Sequence, residues 1–325
     1  MVKAVQVHET GGPEVLTIAD IDLSAPGDGE VQVRHTAIGL NYIDTYFRSG
    51  LYPAPAGLPF VPGNEAAGVV EAVGDGISGF SVGDRVAYAG PLGSYCEVRN
   101  MDPAPLVKIP EGVSDEQAAA MMLKGMTAQY LLRQTFRLEP GHSALFHAAA
   151  GGVGLIAGQW ARHLGIGMIG TASSQAKIDL ALAHGYEHMI NYSDADFVEE
   201  VKRLTDGKGV DVVYDSVGKD TFPGSLDCLK PLGMWVSFGQ SSGALPEINL
   251  GILSQKGSLF ATRPTLFAYI STREALEACA GELFDVVASG AVKIDVKQTY
   301  RLDDAVQAHI DLQGRKTTGA TVLVP

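Results

Sequence analysis

From Ser143 to Thr262 the chain alternates between two kinds of apolar spacing. Short continuous runs such as Ala144-Leu145-Phe146 precede longer stretches in which apolar residues return every three or four positions. The first such stretch carries Val153, Ile156, Ala157, Trp160 and Leu164. The runs read as buried strands and the periodic stretches as helices with one apolar face. The series continues with a strand over 168–171, a helix over 175–184, a strand over 188–190 and a helix near 197–204. A strand over 210–214, a short helix near 225–229, and strands over 234–238 and 259–262 complete it. Six strands alternating with helices predict an α/β fold, a doubly wound parallel sheet covered on both faces.

The first third is patterned differently. Val5-Gln6-Val7 and Val31-Gln32-Val33-Arg34 alternate in the manner of half-buried strands. Gly11-Gly12-Pro13, Pro26-Gly27-Asp28-Gly29 and Val61-Pro62-Gly63 interrupt them. Ala66 to Val73 reads as a strand ending in a turn at Gly74, and further strands start near Val82 and Tyr95. Many short strands with frequent glycine predict a small β-barrel. At Ser114-Asp115-Glu116-Gln117 a helix begins, with Ser114 as cap and Gln117 three residues on. Helical sequence runs through Met121 and, after Gly125, from Met126 to Leu132, which places a domain junction near Lys124. Past Pro264 come a helix over 272–289 stopped by Gly290, a strand over 293–296, a helix over 303–312 and a strand over 321–324. This tail is expected to return to the first domain. The expected division is 1–123 with 265–325, and 124–264.

A chain of 325 residues is too long for one ordinary core. Its formal net charge of −13 argues against nucleic acid as a partner, which needs a cationic face. Cys96, Cys228 and Cys279 lie far apart without a C-x-x-C, so neither disulfides nor a cysteine-built metal site is expected. No charged-then-apolar leader opens the chain and Lys124 interrupts its most apolar helix, so a cytoplasmic location and no membrane partner are expected.

The chemistry starts between the first strand of the alternating region and its helix. From Ala149 the turn reads A-x-G-x-x-G, through Gly151, Gly152, Val153 and Gly154. A small residue keeps the turn tight, Gly151 lets the backbone approach a pyrophosphate, and Gly154 lets helix and strand pack closely. The helix N-terminus offers N–H groups to phosphates. About 20 residues on, where an acidic side chain would bind a ribose 2′-hydroxyl, the chain reads Thr171-Ala172-Ser173-Ser174-Gln175-Ala176-Lys177. Hydroxyls and a lysine without a carboxylate favour a 2′-phosphate, hence NADPH, bound by Ser173 and Lys177. The plainer alternative is a helix cap beside an exposed lysine. Ser216, Phe238, Gly239 and Ser241 end the fourth and fifth strands, where an open α/β sheet holds its ligand. Ordinary turns are the alternative there.

Five stretches together resemble one family. They are Gly11-Gly12-Pro13-Glu14-Val15-Leu16, Gly39-Leu40-Asn41-Tyr42-Ile43-Asp44, Arg48-Ser49-Gly50-Leu51-Tyr52-Pro53, Gly63-Asn64-Glu65-Ala66-Ala67-Gly68, and Ala148 to Gly154. Over essentially its whole length the chain resembles the medium-chain dehydrogenase/reductase superfamily, and within it the zinc-free, zeta-crystallin-like quinone oxidoreductases. The resemblance implies a Rossmann domain, a chaperonin-10-like (GroES-like) barrel made from both chain ends, and a homodimer. The superfamily's alcohol dehydrogenases place a Cys at or near Asn41 and a His where this chain has Asn64. With those ligands missing and eight histidines scattered, no metal is expected, since zinc needs three or four convergent ligands. His142 and His147 suit surface or turn roles.

Without a Lewis acid, dehydrogenating an unactivated alcohol is hard. Reducing a quinone or other activated carbonyl is easier, because the added charge spreads to an oxygen that a few donors can hold. The implied activity is NADPH-dependent quinone reduction, with enone or enal reduction as the neighbouring reading and non-catalytic NADPH or RNA binding as one of another class. Asn41, Tyr46, Tyr52 and Arg263 are the candidate donors to the acceptor. A turn asparagine, half-buried aromatics and a carboxylate-paired arginine are their plainer readings. The resemblance further suggests Lys124, Thr127 and Tyr130, with Asn41, near the nicotinamide and phosphates. It suggests Tyr192 near the adenine or 2′-phosphate, and Arg315 reaching that phosphate.

Overall fold

In the computed structural model, which describes residues 1–325, the alternating N-terminal segments pair as strands. They are β1 (Val2–Val7), β2 (Leu16–Ile21), β3 (Val31–Leu40), β4 (Glu65–Val73), β5 (Arg85–Ala89), β6 (Val98–Met101) and β7 (Val107–Lys108). Between β3 and β4 lies a helix that periodicity did not predict, α1 (Tyr42–Arg48). Its buried residues are Asp44, Thr45, Tyr46 and Arg48, three of the four polar or charged, so no continuous apolar stripe marks it. Asn41 starts it, its backbone N–H donating to Asp44 Oδ2 at 2.9 Å. Helix α2 (Asp115–Tyr130) opens on the expected reciprocal cap, with Ser114 N to Gln117 Oε1 and Gln117 N to Ser114 Oγ both at 3.1 Å. It does not break at Gly125 but continues to Tyr130, where a π-helical turn (Leu131–Thr135) ends it. Burial all along this stretch, from Ala118 to Leu132, outweighs the cost of about 1 kcal/mol for one helical glycine.

Next come the strands β8 (Ala144–Phe146), β9 (Met168–Ala172), β10 (His188–Asn191), β11 (Val210–Asp215), β12 (Leu229–Ser237) and β13 (Phe260–Thr262). Helices α3 (Gly152–His163), α4 (Gln175–Ala183), α5 (Phe197–Leu204), α6 (Gly224–Asp227), α7 (Gly251–Gln255) and α8 (Leu266–Tyr269) are interleaved with them. The sheet is parallel, in the order β10-β9-β8-β11-β12-β13. Counted within the domain this is 3-2-1-4-5-6, the Rossmann order, and the order in which strands are added reverses between β8 and β11. Leu145, Ile169, Val213, Trp235 and Leu259 share its core. The expected helix near 225–229 is shorter, and β12 takes over from Leu229.

The tail supplies α9 (Arg273–Ala288), β14 (Val296–Arg301), α10 (Ala305–Gln313) and β15 (Ala320–Val324). Strand β14 lies later than the expected 293–296, because Gln159 already holds the backbone of Lys293. Lys293 N donates to Gln159 Oε1 at 2.9 Å and Gln159 Nε2 donates to Lys293 O at 3.1 Å. A seven-stranded sheet runs β14-β15-β3-β4-β5-β7, with β6 also on β3. Val33, Ile38, Val70, Tyr88 and Leu323 lie in its core. The chain forms two units: Met1–Lys124 with Thr272–Phe284 and Ile294–Pro325, and Gly125–Ser271 with Asp285–Lys293.

Candidate functional site

In the Rossmann unit the reversal point lies between the ends of β8 and β11. At the β8 end Ala148 has φ of 56°, a left-handed backbone that a residue with a Cβ adopts only under constraint. Gly151 N bonds Ala148 O at 2.9 Å and Ala149 N bonds Thr171 O at 3.0 Å, which ties the turn to β9. Gly151 is the N-cap of α3 and no side chain caps the helix. A Cβ on Gly154 would come within 2.4 Å of Ala149 O, so only glycine lets α3 approach this closely. Ser174 caps α4 by position, yet its hydroxyl makes no capping bond. Ser173 and Lys177 stand on either side of it. Tyr192 is partly exposed and its N–H bonds Ala172 O at 3.1 Å, which brings it to the β9 end.

The ends of β11 and β12 are laced together. Phe238 N bonds Asp215 O at 2.8 Å and Ser241 N bonds Ser216 O at 3.1 Å. A Cβ on Gly239 would meet Ser216 O at 2.6 Å. Thus Ser216, Phe238, Gly239 and Ser241 form one surface. Arg263, at the end of β13, braces it: Nη1 donates to Gly239 O at 2.7 Å, Ser237 Oγ at 2.9 Å and Ser237 O at 3.2 Å. Thr127 and Tyr130 are buried on α2, and Tyr130 stacks on Tyr269 with centroids 4.5 Å apart.

In the barrel unit, Asn41 is buried and both its amide hydrogens have partners: Nδ2 donates to Glu65 Oε2 at 2.7 Å and to Gly39 O at 3.3 Å. Lys124 Nζ reaches the same Glu65 oxygen at 2.7 Å, and Leu123 N bonds Glu65 Oε1 at 2.7 Å. Tyr46 sits between Tyr42 and Tyr52, with ring centroids 5.8 and 5.2 Å away. Burial raises the Tyr42 phenol, and Arg315 and Arg48 oppose it. Arg315 is exposed, with φ of 57°. Neither Glu65 nor Asp44 was marked as a site residue by sequence, although both lie within stretches that carry the resemblance.

A buried string of polar groups holds α1 from behind. Arg48 can only donate, so its Nη1 donates a hydrogen bond to His309 Nδ1 at 3.1 Å. The other ring nitrogen then carries hydrogen and donates to the Tyr95 hydroxyl at 3.1 Å, and that hydroxyl donates to Asp44 Oδ2 at 2.9 Å. Asn64 Nδ2 donates to Asp44 Oδ1 at 2.9 Å. Burial pushes the Asp44 carboxyl up to about 6 against these donors and Lys124. It pushes His309 down to about 3, with Arg48 adding to the effect.

The donor set around Asn41 and Asn64 does not suit a zinc ion. Asn41 and Asn64 spend their amide nitrogens on carboxylates. No group of three or more His, Cys, Asp or Glu is placed to hold an ion. Burial pushes each of the three thiols up to about 12, away from the thiolate that binds metal. His147 corrects its surface reading: it is buried at the reversal point, among groups that periodicity cannot reveal.

Residues 152–289 match the zinc-binding dehydrogenase family, and residues 27–137 match the alcohol dehydrogenase GroES-like domain. A quinone oxidoreductase of Pseudomonas aeruginosa is 56% identical over 100% of both chains. A 2-haloacrylate reductase of a Burkholderia species is 46% identical over 100% of this chain and 99% of its own. The crystal structure of Escherichia coli quinone oxidoreductase complexed with NADPH superposes with a TM-score of 0.97 at 51% identity, over 99% of this chain and 100% of that one. With a Rossmann sheet, a GroES-like domain and relatives this similar from end to end, the chain belongs to the quinone oxidoreductases of the medium-chain dehydrogenase/reductase superfamily.

Proposed function

We propose that this chain is an NADPH-dependent quinone oxidoreductase working without a metal. The observation that carries the reading is the cradle at the sheet's reversal point. An uncapped α3 N-terminus stands there beside a β9 end that offers Ser173, Ser174 and Lys177 and no carboxylate. Free N–H groups suit a pyrophosphate, and hydroxyls with a cation suit a 2′-phosphate. Relatives named quinone oxidoreductase, one of them solved with NADPH, support the same cofactor and acceptor.

Bound NADPH would supply the hydride. The chain's part is to hold that cofactor and to steady the negative charge that reaches the acceptor's oxygen. Preorganised donors do this at roughly 3 kcal/mol each. Tyr46, Tyr52 and Arg263 are the proposed donors. Asn41, its amide hydrogens engaged, fixes Glu65 and through it the Lys124 ammonium. Lys124, Thr127 and Tyr130 are assigned to the nicotinamide and phosphate end. Gly151, Gly152, Val153 and Gly154 take the pyrophosphate, and Ser216, Phe238, Gly239 and Ser241 the neighbouring wall. Tyr192 and Arg315 serve the 2′-phosphate with Ser173 and Lys177. We assign a homodimer, because edge strand β13 is exposed and apolar. A cytoplasmic location fits three free, buried cysteines and the lack of any helix long and apolar enough to cross a membrane. The 2-haloacrylate reductase at 46% identity favours a second reading, reduction of an activated alkene by the same route.

Stopped-flow NADPH oxidation with 1,4-benzoquinone, 9,10-phenanthrenequinone, 2-chloroacrylate and a short enal tests the assignment. Turnover of the quinones is expected, unchanged by a chelator and poorer with NADH. Lys177→Glu should raise KM for NADPH about tenfold, the loss of one charged contact of about 1.5 kcal/mol, and leave NADH nearly unaffected. Turnover confined to the alkenes would transfer the assignment to the second reading. Loss of activity with chelated zinc would refute the metal-free route.

A further inference from the structure

The reversal point hides a second layer of polar groups beneath the cradle. Asp215 ends β11, is fully buried, and accepts at its carboxyl from five groups. Val217 N donates to its Oδ1 at 2.9 Å and Gly218 N at 3.1 Å. The Thr221 hydroxyl is shared between Oδ1 and Oδ2 at 2.9 and 2.8 Å. The Ser225 hydroxyl reaches Oδ2 at 2.8 Å and Trp235 Nε1 reaches it at 3.2 Å. Two backbone N–H groups and an indole can only donate to it, and although burial opposes its charge, the groups around it outweigh burial and hold the carboxyl below its usual range, so it is ionised.

That charge sets the direction of everything next to it. Ser225 spends its hydrogen on Asp215, so toward His147 Nε2, 3.1 Å away, its oxygen accepts. His147 Nε2 therefore carries the ring hydrogen. Burial lowers the pKa of His147, so the ring is neutral and its Nδ1 accepts. Thr171 Oγ1, 3.0 Å from Nδ1, must donate to it. Thr171 is the β9 residue whose carbonyl holds Ala149 N, and His147 immediately precedes the strained Ala148. One carboxylate thus fixes the Ser216–Gly218 turn directly. Through Ser225, His147 and Thr171 it also fixes the glycine turn and the end of β9.

We propose that Asp215 is the positioning residue of the dinucleotide cradle: its buried charge orders the Ser225–His147–Thr171 string and so holds three cofactor loops in one arrangement. The inference rests on the NADPH assignment above and deepens it. Asp215 touches no cofactor atom in this scheme and acts through other groups.

Asp215→Asn tests it, because the amide keeps the shape and loses the charge. With Oδ1 retained for Val217 and Gly218, the new NH2 faces Ser225, which must turn its oxygen to accept, and Trp235 Nε1 loses its acceptor, a cost to stability that does not itself set the tautomer. The Ser225 hydrogen then points at His147 Nε2, and the ring proton must move to Nδ1. The measurements are 15N chemical shifts of the ring nitrogens, with His147 identified by its absence in His147→Gln, and NADPH affinity by fluorescence titration. Wild type is expected to show neutral His147 protonated at Nε2 from pH 7 to 9. Asp215→Asn should move the hydrogen to Nδ1 and raise Kd and KM for NADPH at least tenfold, with kcat at saturating NADPH within about threefold. A role confined to stability would lower Tm without moving the tautomer or splitting KM from kcat. If Asp215→Asn does not fold, Ser225→Ala carries the test, with Kd expected to rise at least threefold. His147 protonated at Nδ1 in wild type, or a folded variant binding NADPH as tightly as wild type, would overturn the proposal. Wild type that fails to bind NADPH would instead sink the cofactor assignment itself.

Discussion

Asp44 is a carboxyl whose surroundings pull both ways. Three donors and Lys124 favour its charge, yet burial wins and pushes it up to about 6, against an ordinary 3.8. Between those values the folded chain holds a proton that the unfolded chain releases. The stability Asp44 contributes is therefore greatest in acid and is lost as pH rises through about 6. His35 and His309 work in the opposite sense. Burial lowers them from 6.5 to about 4 and about 3, so their contribution is full above the ordinary imidazole value and is lost as pH falls. Burial lowers His147 in the same sense, and three imidazoles against one carboxyl predict a chain that weakens below pH 6.5, with Asp44 as the partial offset. Asp44→Asn removes the offset. Its urea-unfolding free energy should fall faster than that of wild type between pH 6 and 4, by about 3 kcal/mol over the window. Parallel pH curves for the two proteins would contradict the burial argument. Nothing in the local sequence announces either Asp44 or His147 as a buried group. Their partners lie 51 and 78 positions away in Tyr95 and Ser225, and a pattern read along the chain is blind to such pairs.

Among elements, those read well from sequence are the ones whose stability is local or periodic. The six Rossmann strands and the α3–α5 helices stand within a few residues of their expected places, because each carries its own apolar face. The reciprocal Ser114–Gln117 cap was readable for the same reason. Helix α1 was not, since its inward face is mostly polar and is satisfied by the Arg48–His309–Tyr95 string. Short α7 and α8, five and four residues long, are held by tertiary contacts rather than by periodicity. The glycine fingerprint belongs to the readable class, and its last member makes a sharp prediction. Gly154→Ala places a methyl 2.4 Å from Ala149 O and 2.8 Å from Ala148 O, backbone atoms that cannot swing aside. The N-terminus of α3 must shift from the β8 turn. A loss of about 1–3 kcal/mol in stability is expected, with NADPH affinity down at least tenfold by fluorescence titration. A variant that binds NADPH as wild type does would show that close packing of α3 is not what shapes the cradle.

At the scale of the molecule, the outer edge of the Rossmann sheet is out of keeping with a lone chain. Soluble monomers guard an unpaired edge with charge, proline or a covering segment. Here β13 presents Phe260 at 57% exposure, and Leu232, 67% exposed, is tied by its N–H to Gly257 O just before that strand. The next cation, Arg263, turns part of its head inward to Ser237 and Gly239. A formal charge of −13 opposes association at long range, so the proposed homodimer would have to draw its stability from a short-range apolar contact such as this edge. Two β13 strands related by a twofold axis would meet as the same patch on both chains. Phe260→Lys puts two like charges face to face across that axis. Light scattering should give about twice the chain mass for wild type at micromolar concentration and the single-chain mass for the variant. The glycine turn and the 2′-phosphate residues lie at the ends of β8 and β9, separated from β13 by β11 and β12, so the monomeric variant should bind NADPH within twofold of wild type. A wild-type chain already monomeric under these conditions would remove the edge argument, and a variant that stays dimeric would move the interface elsewhere.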